Sequence, residues 1–262
     1  MTSFSDLLSQ IEYRGDDEAH VEIPETWMQG RTTYGGLTSA LCLEAAKQAA
    51  PDIPIRTAQI AFVGPAGGPV SLSSSVLRKG RNTVVVSVDM MTEAGMAARC
   101  VFVFGAPRES ALKFNRLKRP ATKHHSEIPG GSTPPTAPSF LSNFDVKRAA
   151  GDLPVSGAGA GEVGLWIKHR DEKAPQTATT LLALADVPWP AALPMLKAPA
   201  PGSSMTWMAE FVDESPDFAD NWFYAHSVAE TAQNGYSSQG MAMYNENGDA
   251  VLIGRQTVTI FG

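Results

Sequence analysis

The chain has 262 residues, of which 43% are hydrophobic and 18% are charged, and its formal net charge is -6. This composition is typical of a globular protein with a sizeable core, arranged as one large domain or as two of about 100–150 residues each. The acidic balance, without a basic stripe interleaved with aromatic residues, excludes a broad nucleic-acid-binding face.

The cellular location and the role of the two cysteines can also be predicted from simple features of the sequence. The first residues, MTSFSDLLSQ, have neither a cationic leader nor an apolar signal core, and no apolar run approaches the roughly 18–20 residues that cross a bilayer. We therefore expect a cytoplasmic protein without a membrane partner. Cys42 and Cys100 fall in a predicted helix and a predicted strand, where we expect small core residues rather than a disulfide or a metal site.

In chain order, the first half predicts a strand, a helix and then a meander of long antiparallel strands. The helix, at 34–50, has Leu37, Leu41, Ala45 and Ala49 at helical spacing. The strands alternate apolar and polar residues and are predicted at 18–27, 56–66, 68–80, 82–92 and 96–105.

Composition changes between about 106 and 138, where the segment EIPGGSTPPTAPS is rich in Pro, Gly, Ser and Thr and has no apolar period. We predict a linker there. The most basic stretch of the chain, KFNRLKRPATKHH at 113–125, lies in this linker. It indicates a solvated segment, although its charge would also suit a phosphate-bearing ligand.

The second half repeats the order of the first, with a helix predicted at 179–192. Its strands are predicted at 139–151, 163–171, 203–213, 221–235, 236–248 and 250–262. The turns TEAG and NENG hold the same place in the two meanders. We therefore predict an N-terminal repeat over 1–105 and a C-terminal repeat over 139–262, in an α+β fold whose helices are wrapped by antiparallel sheet.

A lone carboxylate, Asp186, lies in the apolar helical run TTLLALADVPWPAAL, two residues before Pro188. Placing a charge among buried aliphatic side chains costs several kcal/mol unless the charge is paired or neutralised. The residues alone leave two interpretations open. Asp186 either carries out chemistry or satisfies backbone donors where the helix ends.

Four stretches together are similar to the acyl-CoA thioesterase II family, the double-hotdog thioesterases. They are RTTYGGLTSALCLEAA, LRKGRNTVVVSVDM, LLALADVPWP and GYSSQGMAMYNENGDAVLIGRQ, and the resemblance extends from about Trp27 to the C-terminus. It implies a double hotdog fold and hydrolysis of acyl-CoA thioesters by water, without a covalent intermediate and without a cofactor. It also implies a homodimer or a higher homo-oligomer.

The resemblance implies three residues that hold and activate the water. They are Asp186 in LALAD as general base, Ser204 in SSMTW as the hydroxyl and Gln256 in GRQTV as the carboxamide. The family usually has Thr at the hydroxyl position, so Ser203 and Thr206 are alternative carriers. Ser204 best keeps the spacing to Gln256. From the residues alone, each of these side chains also suits a plain strand or turn position.

Substrate-binding residues are expected at the start of the first helix, in the TYGG motif at 33–36. Unpaired N–H groups at a helix N-terminus suit a developing oxyanion, so Gly35 and Gly36 would polarise the thioester carbonyl. Tyr34 would close an acyl tunnel or donate a hydrogen bond. The alternative is that the glycines allow close packing and that Tyr34 belongs to the core.

Two rival functions remain open from the sequence. A hotdog enoyl-CoA hydratase would need a His beside the carboxylate, and no such His accompanies Asp186 or the first helix. A non-catalytic acyl-CoA-binding or lipid-binding hotdog protein would explain the change at the hydroxyl position. His124 and His125 have no Cys or carboxylate at metal-like spacing, so no metal is implied. No GxSxG elbow is present, which argues against an α/β-hydrolase.

Overall fold

The computed structural model describes residues 2–130, 137–213 and 216–261 of the chain. The part of the predicted linker at 131–136 lies outside the described residues. The three α-helices are α1 (Phe4–Ser9), α2 (Gly35–Lys47) and α3 (Ala178–Ala185). The strands are β1 (Glu12–Arg14), β2 (Glu18–Ile23), β3 (Met28–Gln29), β4 (Thr32–Thr33), β5 (Ile55–Phe62), β6 (Gly68–Lys79), β7 (Thr83–Thr92), β8 (Gly95–Gly105), β9 (Phe144–Gly151), β10 (Glu162–His169), β11 (Gly202–Phe211), β12 (Phe223–Gln233), β13 (Tyr236–Tyr244) and β14 (Ala250–Ile260).

Twelve of these strands form one continuous antiparallel sheet. Its order is β1-β2-β6-β7-β8-β5-β11-β14-β13-β12-β10-β9. The order β2-β6-β7-β8-β5 of the first half is repeated, in reverse direction across the sheet, as β11-β14-β13-β12-β10 in the second. The repeats join at β5 and β11, where Ala58 lies opposite Ala209. The predicted repetition of elements is thus observed as a pseudo-two-fold arrangement.

Two β-bulges occupy equivalent places in the two repeats and align them residue by residue. Arg56 of β5 has no partner residue in β8, and Met205 of β11 has no partner residue in β14, so each is the extra residue of a bulge. A second pair of bulges lies at Leu77 in β6 and Glu230 in β12. A bulge adds one residue to a strand and re-aims the side chains on one side of it.

The helices α2 and α3 pack against each other in opposite directions on one face of the sheet. At one end the Tyr34 hydroxyl donates to the carbonyl of Ala183 over 2.6 Å, and at the other the Thr179 hydroxyl donates to the Glu44 carboxylate. Both helices are buried on nearly all sides. The start of α2 therefore lies beside the end of α3.

Helix α3 ends at Ala185, earlier than the predicted end at 192. Pro188 explains the difference, because it has no N–H to donate to Leu184 and its ring clashes with that carbonyl. The predicted strand at 139–151 is also shorter: Ser139–Asn143 is a 3-10 turn, whose Ser139 hydroxyl donates to carbonyls of the first repeat. Helix α1 was not predicted.

The face of the sheet opposite the helices carries a second, smaller apolar cluster in the C-terminal repeat, around Trp166, Tyr224 and Tyr244. Leu165 and Ile167 belong to the main core, so Trp166 between them points to the opposite face. The linker covers this cluster, and Ile128 packs against it. That part of the linker is therefore packed rather than freely solvated. Among the described residues, no helix has the length and apolar character needed to cross a membrane.

Candidate active site

Asp186 lies where α3 ends, next to the N-terminus of α2. Burial raises the pKa of its carboxyl to about 7, against the opposing effects of hydrogen bonds from the Gln256 side chain and the Gly36 backbone. The residue nevertheless keeps part of its surface open. A half-ionised carboxylate near neutral pH that is partly exposed has the properties of a general base.

Gln256 and Ser204 reach Asp186 from the adjacent strands β14 and β11. The Gln256 Nε2 group donates to Asp186 Oδ1 over 2.9 Å and lies 3.1 Å from Ser204 Oγ. Gln256 is 3% exposed. It therefore points to the helix side of the sheet and not to the solvent face. The three residues identified through the resemblance thus form one hydrogen-bonded group.

The bulge at Met205 is what brings Ser204 into this group. Ser204 lies opposite buried Val258, whereas Thr206 lies opposite Thr257 on the outer face. Directly opposite residues of an antiparallel pair share a face, so the bulge turns the Ser204 hydroxyl inward. Ser203 and Thr206 are exposed. Of the three candidate hydroxyls, Ser204 is the one that the structure places beside Gln256.

A fourth residue, Gln239 of β13, was not predicted and fixes the orientation of the Gln256 amide. The backbone N–H of Ala191 donates to Gln239 Oε1 over 2.7 Å, and Gln239 Nε2 donates to Gln256 Oε1 over 2.9 Å. Because a backbone N–H can only donate, each amide in the series has one possible orientation. The Gln256 NH₂ group must then face Asp186 and Ser204.

The glycines at the start of α2 allow the carboxylate to approach the helix. A Cβ atom on Gly35 would lie 2.6 Å from Asp186 Oδ2, closer than real Cβ atoms approach, and 3.1 Å from Phe62 Cζ, which is also tight. A Cβ atom on Gly36 would lie 2.6 Å from the carbonyl oxygen of Ala183. Close packing therefore requires glycine at both positions, and it leaves the N-terminus of α2 directed at Asp186.

Tyr34 joins the two central helices. Its side chain is 1% exposed, its ring stacks on Phe140 with centroids 4.1 Å apart, and its hydroxyl donates to the carbonyl of Ala183. These contacts fit the alternative that Tyr34 belongs to the core, and its role in substrate binding stays a prediction.

The first repeat has apolar residues where the second carries the polar group. Aligned through their bulges, Ser204, Gln256 and Gln239 correspond to Ile55, Phe102 and Val86, which are all buried. These apolar residues fill the core beneath α2 and offer no donor or acceptor. Within the described parts of the chain there is therefore one such polar group, in the C-terminal repeat, and the N-terminal repeat contributes the helix end that faces it.

A cavity of about 270 Å³ lies on the other side of α3, with Thr180 and Leu184 in its wall. These two residues are one turn apart and share a helix face. Asp186 follows Leu184 by two residues, which is a rotation of about 200° around a helix. His169, buried between Phe4 and Phe144, also lines this cavity, and burial lowers its pKa to about 3. This cavity is separate from the group around Asp186.

Comparison with known proteins shows the family to which the chain belongs. The sequence model of the acyl-CoA thioesterase N-terminal domain matches residues 23–105, and that of the acyl-CoA thioesterase C-terminal domain matches residues 119–260. The chain therefore belongs to the acyl-CoA thioesterase family and is a thioester hydrolase. No curated protein matches it in sequence.

Solved structures with the same fold cover the whole chain. A hot dog protein of unknown function from Alicyclobacillus acidocaldarius is 20% identical with a TM-score of 0.89, over 100% of this chain and 99% of its own. A putative thioesterase II from Thermobifida fusca is 16% identical with a TM-score of 0.85, over 100% and 98%. An acyl-CoA thioesterase II of Mycobacterium marinum is 15% identical with a TM-score of 0.78, over 98% and 97%. The predicted double hotdog fold is confirmed.

Proposed function

We propose that the protein hydrolyses acyl-CoA thioesters with a water molecule held by Asp186, Ser204 and Gln256. The observation that carries the proposal is a carboxylate with a pKa near 7 that is bonded to an amide of fixed orientation. Asp186 accepts the proton of the water as its oxygen attacks the thioester carbonyl. The Ser204 hydroxyl and the Gln256 NH₂ group set the direction of the water.

The negative charge that develops on the carbonyl oxygen is stabilised from the start of α2. The N-terminus of this helix carries the positive end of its dipole, and Gly35 lets it come close to the carboxylate. Gly35 and Gly36 are thus the proposed substrate-side contacts. As the tetrahedral intermediate collapses, its carbon–sulfur bond breaks, the protonated Asp186 gives its proton to the CoA sulfur, and the free acid leaves with the oxygen of the water.

The test is the release of free thiol from acyl-CoAs of several chain lengths by wild-type protein and by Asp186→Asn. A matched control is Asp89→Asn, because Asp89 is a carboxylate of the sheet surface that pairs with Arg99, away from the candidate site. We expect hydrolysis by the wild type and by the control, and a loss of at least about a hundredfold in Asp186→Asn, which is typical of a removed general base.

The same assay distinguishes the non-catalytic alternative. Tight binding of acyl-CoA by the wild type without release of thiol would identify an acyl-CoA-binding module. Hydration of an enoyl-CoA without thiol release would identify a hydratase. Either result would overturn the proposed mechanism.

The assembly and location also remain predictions. We propose a homodimer or higher homo-oligomer, as the resemblance implies, and a cytoplasmic location, as predicted from the sequence. Size-exclusion chromatography with light scattering tests the first part, since a mass of 27.9 kDa is expected of a monomer.

A further inference from the structure

Two adjacent histidines of the linker meet two carboxylates on the outer face of the C-terminal repeat. His124 Nε2 lies 2.7 Å from Glu246 Oε1, and His125 Nε2 lies 3.4 Å from the same oxygen. Asp220 Oδ2 lies 2.8 Å from His125 Nε2. Asp220 precedes β12 and Glu246 lies between β13 and β14, so three separate chain segments meet at this point. We name His124, His125, Asp220 and Glu246 the outer-face cluster.

Side chains of the sheet hold the two histidines in place. The Trp166 indole N–H donates to the carbonyl of Lys123 over 2.9 Å, and Lys147 Nζ donates to the carbonyl of His125 over 2.8 Å. The His125 ring stacks on Trp222 with centroids 4.9 Å apart. These contacts hold the two imidazoles in place against aromatic side chains of the sheet.

Glu246 is fixed from its own backbone. Arg119 Nη1 donates to the Glu246 carbonyl over 2.7 Å, and the guanidinium lies over Trp166 at 5.1 Å. The neighbouring cations Arg119 and Lys147 are thus engaged with carbonyls and aromatic rings. The Glu246 carboxylate therefore contacts the two imidazoles and neither of these cations.

The His125 side chain contains a buried nitrogen that the fold does not satisfy. His125 is 9% exposed, and within the described ranges of the chain no group reaches its Nε2 with hydrogen-bond geometry. Asp220 Oδ2 is close to this nitrogen but does not have the direction of a hydrogen bond to it. A buried polar atom without a partner costs about 1–3 kcal/mol. A ligand between the imidazoles and the carboxylates would remove that cost.

We propose that the outer-face cluster is a binding site for a divalent cation of the zinc class. The ligand atoms of His124, His125 and Glu246 lie within 4.8 Å of one another. Zinc bonds of about 2.1 Å in a tetrahedron put ligand atoms about 3.4 Å apart. The contact of His125 with Glu246 already has that length. The shorter contacts need to open by roughly 0.6 Å, which partly exposed side chains allow.

The composition of the cluster agrees with this cation. His124, His125 and Glu246 supply two imidazole nitrogens and one carboxylate oxygen, a ligand set that favours zinc over magnesium, and Asp220 adds a second negative charge beside His125. The other ring nitrogen of His124, Nδ1, accepts from the Ser126 backbone N–H and lies 2.8 Å from Ser126 Oγ; with a metal on Nε2 it would carry the proton and donate a hydrogen bond to that hydroxyl oxygen. Asp220 and Glu246 supply the carboxylates that the sequence around the histidines lacks; Glu246 is 122 residues from His124.

The experiment uses tag-free, full-length protein stripped with chelator and titrated with zinc chloride against a chromophoric competitor. His124→Ala with His125→Ala removes the two imidazoles. His226→Ala is the matched control, because His226 forms a single His–carboxylate pair with Glu162 at 2.8 Å on the same sheet. Thermal melting with and without zinc is followed in parallel. These readouts are independent of thioester hydrolysis.

We expect one tightly bound zinc ion per wild-type chain and per His226→Ala chain, and an increased melting temperature on addition of zinc. The double variant should lose both effects, and magnesium should not compete. Glu246→Gln should keep the fold, because the Glu246 side chain is partly exposed, and should weaken binding by about tenfold or more. Absence of stoichiometric binding by the wild type would overturn the proposal. Unchanged binding in Glu246→Gln would do the same, even if the double variant does not fold.

Discussion

The substitution Asp186→Asn should make the protein more stable and less active, with a dependence on pH that identifies the carboxylate. In the folded protein burial raises the pKa of Asp186 from 3.8 to about 7. A raised carboxyl pKa means that the folded state binds a proton that the unfolded state has lost. Stability from this group is therefore present at low pH and is lost as the pH rises through about 7.

The size of the effect follows from those two pKa values. Between pH about 8.5 and pH about 5.5 the wild type should gain about 2 kcal/mol of unfolding free energy from Asp186, and Asp186→Asn should not gain it. The difference in stability between variant and wild type isolates this contribution, because other titrating groups are common to both proteins. Urea unfolding at the two pH values measures it.

The refuting result is a constant stability difference over this pH range. It would mean that Asp186 has an ordinary pKa and that burial does not prepare it as a base. Loss of thiol release by Asp186→Asn together with the expected pH dependence would connect the same carboxylate to both properties. The protein would then lose unfolding free energy by burying a carboxylate that its activity requires, as stability and activity often oppose each other at active sites.

Substitutions at three further positions test the neighbours of Asp186 and the buried histidine. Ser204→Ala should lower kcat about tenfold to a hundredfold, because the water loses one hydrogen bond, and Ser204→Thr should retain activity, as steady-state kinetics will show. Gln239→Leu should lower kcat about tenfold with little change in KM, because the Gln256 amide is free to rotate, and should cost about 1–3 kcal/mol through the unsatisfied Ala191 N–H. His169→Phe should remove an acid-dependent loss of about 1 kcal/mol between pH 7.5 and 5.5, since burial lowers the His169 pKa from 6.5 to about 3, and urea unfolding at both pH values measures it.

Each of these has an outcome that contradicts it. A kcat of Ser204→Ala equal to those of Ser204→Thr and the wild type would show that the hydroxyl has no role in the mechanism. A Gln239→Leu variant that loses stability but keeps the wild-type kcat would make Gln239 a core residue only. An unchanged acid sensitivity in His169→Phe would show that His169 is not held neutral. Far-UV circular dichroism provides the control for folding in every case.

The sequence predicted the element order and the fold class because periodicity and turn residues are local signals. Alternation in YSSQGMAMY also places Gln239 on the same face as the buried residues Met241 and Met243, so this signal was available for the missed amide. A Gln in a strand is ordinarily taken as solvent-facing, and only the sheet order shows that Gln239 lies opposite Gln256.

Other features are not local and could not be predicted in the same way. The bulge at Met205 depends on the pairing of β11 with β14, and it decides which of the neighbouring hydroxyls points inward. The early end of α3 is an exception, since Pro188 was visible in the sequence. The outer-face cluster requires the linker to fold over the second repeat, which no spacing near His124 indicates.

The most direct test of the central claim is a crystal structure of the protein with a non-hydrolysable acyl-CoA analogue. We predict a water molecule within about 3.2 Å of both the Asp186 carboxylate and the Ser204 hydroxyl, and within about 3.5 Å of the carbonyl carbon that replaces the thioester. A carbonyl bound in the cavity on the opposite side of α3, with no water between it and Asp186, would contradict the account.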